Sequence, residues 1–529
     1  MIAPILLVDE DIRKFICDGF LQIRSDLPDS FHQEINEKLR WACEKEFVTG
    51  NNIMARVPEL HELVENPIVA GALTSILGQD YLLYPHRFVH TSNPATRPTQ
   101  PYSADSEAPK MGEGSLAGSA WHQDAHSPLA RARHHVPRYL ILFYYPHDTP
   151  LEMGPTRFQA GSQLYNLPGN PASIVLPQFI NAGTIFLLHF DIVHAGFPNY
   201  TSVARYMVKM IFARTRHPAA PTWQNEAVSW SEPDQTFTEI RLPNTWSYLW
   251  HWLRGDLPED RETLNDDKAE EGQAARLESI YKSRNINMLV DSLTAKAGLG
   301  RHERLLEKGK DGKPTLRDIW TKESLKRPHL AERRWNERAI AMEDEAYSLA
   351  GIGQPAVTAL TDLLGHKDPW VAINASFSLG EIGPSANLSA PRISALLDHP
   401  LQQVVRQSLD ALGAISNNIN IALPSIKRLV FANNPAWQNP QVARGWTAED
   451  GIRLSAIQAL LNAITIPINE IKITEEILIH ALNDKNGYVA AIACEGLIRI
   501  NSETSVRAAL RFLERRRWDD SLAVGKRVY

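Results

Sequence analysis

Four residues of this chain combine the types and spacing of a metal site: His122, Asp124, His194 and Arg205. The first two lie in Trp121-His122-Gln123-Asp124 and the third in Val193-His194-Ala195-Gly196, with Arg205 eleven residues beyond His194. In an extended segment successive side chains alternate faces, so His122 and Asp124 point the same way. Two ligands on one face and a later histidine make a 2-His-1-carboxylate triad. Such a triad holds Fe(II) on three positions and leaves three open. An arginine one strand further on offers a planar fork that clamps the far carboxylate of a bidentate 2-oxoacid. The set is that of an oxygenase.

His-x-Asp alone is a weak signal, and the chain has three: His122/Asp124, His189/Asp191 and His366/Asp368. The elements around them decide between them. A glycine-rich stretch, Gly112 to Ser119, leads into the first pair. Then come the apolar run Tyr139–Tyr145, the turn-rich Gly154-Pro-Thr-Arg-Phe-Gln-Ala-Gly-Ser-Gln163, the run Gly183–Leu188 ahead of His194, and the β-rich run Arg205–Phe212. Short strands separated by turn residues predict a β-sandwich or barrel. Ten of the 18 histidines fall between His86 and His217, a clustering that favours a site over scattered surface positions.

Trp-His-Gln-Asp, then Gly-Pro-Thr-Arg-Phe-x-x-Gly-Ser, then His-x-Gly with an arginine eleven residues on, resembles the phytanoyl-CoA dioxygenase family. The likeness spans roughly residues 5–217, including an opening helix and strand over Asp9–Gln22 and a second helical segment from Asn66-Pro67 to Asp80. The resemblance implies a double-stranded β-helix (jelly roll) and a non-haem oxygenase using Fe(II), 2-oxoglutarate and O2. It makes His122, Asp124 and His194 the iron ligands and Arg205 the 2-oxoglutarate anchor. The reaction it implies oxidises a small molecule while 2-oxoglutarate is converted to succinate and CO2. The chain departs from the family in having Gln163 after Gly161-Ser162, where histidine is frequent, and Thr184 after Gly183, where aspartate is frequent. Related halogenases replace the carboxylate ligand by a small residue. Asp124 therefore favours hydroxylation or another oxidation. Because His194 fills the distal position, His189/Asp191 reads as structural.

Further polar residues are candidates for substrate contact. His126 shares the face of Asp124 if the strand continues. Arg131 and Arg138 belong to a basic cluster with Arg133, His134 and His135, which reads either as a solvated loop or as a contact for an anionic substrate. His86 follows Tyr81–Pro85, where the family brings a strand past the co-substrate. Residues 91–120, rich in proline and then glycine, read as a lid beside the metal site.

The chain of 529 residues has room for two or three domains. Its net charge of −6 points to neither a nucleic-acid nor a membrane surface. Cys17, Cys43 and Cys494 are too dispersed for a disulfide framework or a zinc site, and suit a reducing cytoplasm. No apolar run has the length of a membrane span, and Asp9-Glu-Asp11 closes the short apolar stretch at the N-terminus, against a signal peptide. Residues 1–217 read as the oxygenase domain, opening with helices; Ser30 is placed to cap one whose apolar face is Phe31, Ile35 and Leu39. Residues 218–338 form a mostly helical connecting region with five tryptophans (Trp223, Trp230, Trp246, Trp250, Trp252) expected against the outside of the barrel, followed by charged stretches.

From 339 to 529 the chain repeats. Leu349-Ala-Gly-Ile-Gly353, Leu379-Gly-Glu-Ile-Gly383, Leu412-Gly-Ala-Ile-Ser416, Leu461-Asn-Ala-Ile-Thr465 and Leu497-Ile-Arg-Ile-Asn501 recur, with an insertion over Asn433–Asp450. Helix pairs that cannot bury their faces alone must stack. This resembles HEAT-like repeats and predicts an all-α solenoid. Such a solenoid offers a surface for a protein partner, for a second copy, or for walling the active site. The fold class is thus multidomain: N-terminal helices, a jelly roll, then the solenoid. The competing function class is a repeat scaffold for protein binding whose β domain is vestigial or binds another metal.

Overall fold

The computed structural model describes residues 3–45, 50–94, 121–124, 132–164, 173–258, 263–264, 272–297, 341–438, 447–464 and 471–515. The strands are β1 (Phe20–Arg24), β2 (Leu82–Ser92), β3 (Tyr139–Tyr145), β4 (Thr149–Pro150), β5 (Thr156–Gln159), β6 (Ile174–Val175), β7 (Phe179–Ile180), β8 (Thr184–His189), β9 (His194–Gly196) and β10 (Arg205–Ala213). Five of them form an antiparallel sheet in the order β1-β8-β3-β10-β2. A second sheet runs β6-β5-β9, and β4 pairs with β7. Every residue of β3, β8 and β10 is buried, so the large sheet is covered on both faces.

The two faces separate by the period of two that strands impose. Leu140, Leu142 and Tyr144 of β3 and Tyr206, Val208, Met210 and Phe212 of β10 join a core with the N-terminal helices. These helices are α1 (Asp9–Asp18), α2 (Asp29–Lys45), α3 (Ile53–Arg56), α4 (Glu59–Glu65) and α5 (Pro67–Leu77). The alternate residues, Ile141, Phe143, Tyr145, Met207 and Ile211, face inward and pack with Phe158 of the second sheet. Arg205 and Lys209 have the parity of this inner face. Helix α2 starts at Asp29, so Ser30 lies in its first turn rather than capping it, and its buried residues are His32, Ile35, Leu39 and Ala42.

Residues 218–242 run back over α1 without regular structure, laced to it by polar contacts. The Asp9 carboxylate accepts from Trp223 Nε1 at 2.7 Å, Asn225 Nδ2 at 2.8 Å and the backbone N–H of Ala227 at 2.7 Å. Asp18 accepts from the N–H groups of Phe237 and Thr238, both at 2.9 Å. Helix α6 (Pro243–Arg254) then buries Trp246, Trp250 and Trp252 in the outer-face core. Trp250 packs edge-on against Trp223 and Trp230, with the Arg13 guanidinium over its ring. Helices α7 (Gly272–Ile280) and α8 (Ile286–Ala295) lead towards the C-terminal region.

That region is all-helical among its described residues: α9 (Asp344–Ile352), α10 (Val357–Leu363), α11 (Pro369–Ile382), α12 (Ala390–Ala395), α13 (Gln402–Ile415), α14 (Leu423–Phe431), α15 (Ala448–Ile464), α16 (Ile471–Ala481), α17 (Gly487–Ile500) and α18 (Glu503–Arg515). Each recurring pentapeptide closes the first helix of a pair. Its fifth residue takes positive φ at Gly353 (83°), Gly383 (73°), Ser416 (52°) and Asn501 (54°), while Thr465 lies outside the described residues. The sequence repeat is thus a helix-stop signal, since positive φ after the last helical residue ends the hydrogen-bond ladder. At two marks the second residue is a glycine where first helices touch: a Cβ on Gly380 would lie 3.0 Å from Ala411 Cα, and one on Gly413 2.8 Å from Ala459 Cα. His366/Asp368 also marks a helix start. Asp368 accepts from Trp370 N–H at 2.8 Å, and Pro369 opens α11.

The helical region is bonded to the sheet domain at several points. Glu381 of α11 is buried and accepts from Arg138 Nε at 2.8 Å, with His134 Nδ1 at 2.9 Å. Tyr347 donates to the Arg133 carbonyl at 2.9 Å and stacks on His135. Gln458 donates to the Tyr139 hydroxyl at 3.1 Å, and Asn51 donates to that of Tyr488 at 2.9 Å. Arg499 donates to the carbonyls of Asp80 and Tyr81. Burial pushes the Glu381 carboxyl up, but the charges of Arg138 and His134 outweigh it and hold the group at about 2.

Replacing Glu381 by alanine leaves the partly buried Arg138 guanidinium, among the described residues, with the Gly380 carbonyl alone, and losing a hydrogen bond to a charged group costs about 1.5–3 kcal/mol. Glu381→Ala should therefore unfold at clearly lower urea than the wild type. Because the folded value is depressed, the stabilisation is present above the unfolded carboxylate value of roughly 4.3 and is lost as pH falls towards about 2. Urea titrations between pH 6 and 3 should show this loss in the wild type and less of it in Glu381→Gln. A chain ending at residue 335, lacking all these contacts, is expected to aggregate. A soluble, monomeric fragment by gel filtration would overturn that.

Candidate metal centre

The site begins with backbone pairing. His122 N–H donates to the His194 carbonyl at 3.0 Å, and His194 N–H returns the bond to His122 at 2.9 Å. This isolated antiparallel bridge places the two residues directly opposite one another, so their side chains leave the same face. The imidazole centroids are 4.4 Å apart. Asp124, two residues on, returns to that face. One ligand atom each from His122, Asp124 and His194 lies within 4.8 Å of the other two. Asp124 Oδ1 is 3.8 Å from His122 Nε2, and Oδ2 is 3.9 Å from His194 Nε2.

The surrounding motifs fix this bridge. Arg157 of β5 lays its guanidinium 4.7 Å from the Trp121 ring centre, next to His122. Phe158 pairs with His194 in register, joining β9 to the second sheet. Gln123 points the other way, fully buried, and donates to the Asp191 carbonyl at 2.6 Å. Ser162 Oγ accepts from Val193 N–H at 2.8 Å and donates to the Gln159 carbonyl at 2.7 Å. Trp-His-Gln-Asp and Gly-Pro-Thr-Arg-Phe-x-x-Gly-Ser therefore grip the chain on either side of the histidine pair.

Electrostatics bears on two of the three groups, His194 and Asp124. Burial, then the neighbouring His122, lowers the His194 imidazole to about 3. Its Nδ1 lies 3.0 Å from the Ile192 carbonyl, which makes Nδ1 the protonated nitrogen and leaves the Nε2 lone pair facing the site. Burial pushes Asp124 up, but Lys209, followed by His194 and His122, outweighs it and keeps the carboxylate ionised. Two imidazoles and one carboxylate on a single face form a donor set that suits a divalent first-row metal.

Lys209, in the middle of β10, reaches this carboxylate: its Nζ donates to Asp124 Oδ2, and its side chain is 6% exposed. The sequence shows it as one charged residue in an apolar strand, four places after Arg205 and therefore on the same face. That parity was the available signal. Arg205 is buried at the start of β10, its guanidinium over the Tyr145 ring. Its Nε and Nη2 donate to the Gly154 carbonyl at 3.2 and 3.0 Å, and Nη1 donates to the His90 carbonyl at 3.3 Å. A guanidinium has five N–H groups, so two of the Arg205 donors carry no bond among the described residues.

The other candidates lie apart from the triad or outside the described residues. His126 and Arg131 fall outside them, as do residues 95–120 of the expected lid. Arg138 is committed to Glu381 and to the Gly380 carbonyl. His86 Nδ1 is hydrogen-bonded to the Tyr488 hydroxyl at 2.9 Å. Asp191 accepts from Arg133 Nη1 at 2.6 Å, with both groups buried, which is a structural pairing.

Residues 16–207 match the model of the phytanoyl-CoA dioxygenase (PhyH) family. Among solved structures, the chain is similar to a non-haem monooxygenase, the ThoJ–nickel complex (18% identity, 44% of this chain and 91% of that one, TM-score 0.28). It is also similar to HygX from Streptomyces hygroscopicus with nickel and 2-oxoglutarate bound (14% identity, 44% and 95%, TM-score 0.30). A third is the non-haem alpha-ketoglutarate-dependent epimerase SnoN from nogalamycin biosynthesis (17% identity, 39% and 81%, TM-score 0.30). No curated protein matches the chain.

The Asp124–Lys209 pair yields a test that needs no ligand. Asp124→Ala should destabilise the metal-free protein by about 3–5 kcal/mol, because it leaves a buried ammonium without its partner. Adding Lys209→Met should recover much of that loss. Additive effects in this double-mutant cycle, read by urea unfolding, would show that the two side chains do not interact.

Proposed function

We propose that this protein is a non-haem Fe(II)- and 2-oxoglutarate-dependent dioxygenase that hydroxylates or otherwise oxidises a small molecule. The observation that carries this reading is the convergence of His122, Asp124 and His194 on one face, with donor atoms within 4.8 Å of one another. The match of residues 16–207 to the PhyH family supports it. In this reading the two sheets are halves of a double-stranded β-helix, and the C-terminal helix pairs form a HEAT-like solenoid. The domains divide as 1–217, 218–338 and 339–529. The three dispersed cysteines, Cys17, Cys43 and Cys494, suit a cytoplasmic protein. No helix among the described residues is long and apolar enough to cross a membrane.

Each residue has a role in this reading. His122, Asp124 and His194 hold the metal through two nitrogens and one carboxylate oxygen. Arg205 offers its two remaining N–H groups to the distal carboxylate of 2-oxoglutarate. Phe143, whose ring lies 5.7 Å from that of His194, walls the inner face and keeps water from the metal. When bound, Fe(II) with 2-oxoglutarate and O2 supplies the oxidising power, and succinate and CO2 are the co-products. Ligand substitution separates this reading from a binding scaffold: His122→Ala should abolish substrate-dependent succinate formation, and full turnover in that variant would sink it.

A second prediction concerns the co-substrate. A guanidinium forms a bidentate clamp that an ammonium cannot reproduce. Losing one charge-assisted hydrogen bond costs about 1.5–3 kcal/mol, roughly 10- to 150-fold in binding. Arg205→Lys should raise the 2-oxoglutarate concentration needed for half-maximal rate by that factor, with a much smaller effect on the substrate requirement. An unchanged 2-oxoglutarate dependence would move the anchor elsewhere.

A further inference from the structure

We infer that Lys209 is a positioning residue for the metal centre, holding one oxygen of Asp124 so that the carboxylate gives its metal a single oxygen. The inference rests on the metal-site reading above and concerns a residue outside the triad.

The backbone leaves Lys209 little choice of direction. Strand β10 is locked on both edges, with Lys209 opposite Phe88 of β2 and Phe143 of β3. The residue cannot turn to the outer face without a register slip that would expel the whole apolar set of the strand. Its ammonium lies 5.9 Å from the Phe143 ring centre, and its partner among the described residues is Asp124 Oδ2. A buried ammonium is costly unless paired, so this bond is the condition for a lysine at that position. Asp124 Oδ1 carries no hydrogen bond among the described residues and faces His122 Nε2 at 3.8 Å. The carboxylate is thus divided: Oδ2, on the His194 side, is held by Lys209, and Oδ1 is presented beside His122.

This division has a consequence for coordination. A carboxylate free to rotate can bind a divalent ion through both oxygens and take up an additional position. With Oδ2 held by Lys209, Asp124 would give a bound metal one oxygen and leave positions for a chelating co-substrate and a third ligand. Partners outside the ligand sphere that orient a carboxylate are worth about 10- to 100-fold in metal affinity. The ammonium acts on the metal through the carboxylate and is not itself a ligand.

The test is Mn(II) binding to the full-length, metal-free protein, followed by electron paramagnetic resonance of the free ion. Co(II) absorption is recorded in parallel as a measure of coordination number. Lys209→Met should bind Mn(II) about 10- to 100-fold more weakly than wild type. Its Co(II) spectrum should change in the absence of any co-substrate. Lys209→Gln, which keeps a hydrogen-bond donor but loses the charge, should fall between the two and carries the test should Lys209→Met fail to fold. Equal or tighter Mn(II) binding in the variants, with an unchanged Co(II) spectrum, would overturn the inference: the ammonium would then be a counter-ion that competes with the metal. A wild type that binds no Mn(II) would instead overturn the metal-centre reading itself.

Discussion

Two backbone hydrogen bonds between His122 and His194 carry the architecture of the site. They close a separation of 72 residues in sequence, from 122 to 194, into a directly opposed pair. Once the pair is made, alternation along the extended chain delivers Asp124 to the same face without further instruction. The neighbouring motifs serve this bridge. Trp121 lies under Arg157, Ser162 pins Val193, and Gln123 ties the 121–124 segment to the turn before His194. These are buried side chains, so the histidines meet in a preset geometry.

The large sheet needs cover on both sides, and different parts of the chain supply it. The N-terminal helices and the tryptophans of α6 close the outer face. The second sheet and the C-terminal helices share one apolar core with the inner face. The stretch 132–138, shortly after Asp124, is held in part by helices beyond the sheet domain: His134 and Arg138 on Glu381, His135 on Tyr281 and Tyr347. The repeats thus spend part of their surface as structure for the sheet domain.

The cluster of His122, Asp124 and His194 was legible in the sequence because His-x-Asp and a later histidine in extended segments form short, chemically distinctive motifs. The helix pairs were legible for a different reason. Their recurring fifth residue answers a backbone demand, positive φ at the helix end, which glycine, serine and asparagine meet at Gly353, Gly383, Ser416 and Asn501. Lys209 was not singled out, since a lysine in a strand ordinarily points to solvent and only the burial of both faces makes it unusual. Arg138 and His86 looked available for substrate because their partners, Glu381 and Tyr488, are 243 and 402 residues away. Residues 218–242 have no period to detect. They follow α1 through hydrogen bonds to Asp9 and Asp18, and a chain shaped by its neighbour's carboxylates carries no rhythm of its own.

The contacts between the sheet domain and the helices span sequence distances that set an order of events during synthesis. Tyr139 meets Gln458 across 319 residues, and Asn51 meets Tyr488 across 437. A ribosome adds roughly 5–20 residues per second. The sheet domain therefore emerges tens of seconds before the helices that complete its core. During that interval its inner-face aromatics, Tyr84 and Tyr139 among them, lack their final neighbours. A nascent chain of this design presents a sticky, half-finished surface for longer than a protein with local contacts would. Its yield in a cell is then governed by how well chaperones shield that surface until the last helix pair arrives.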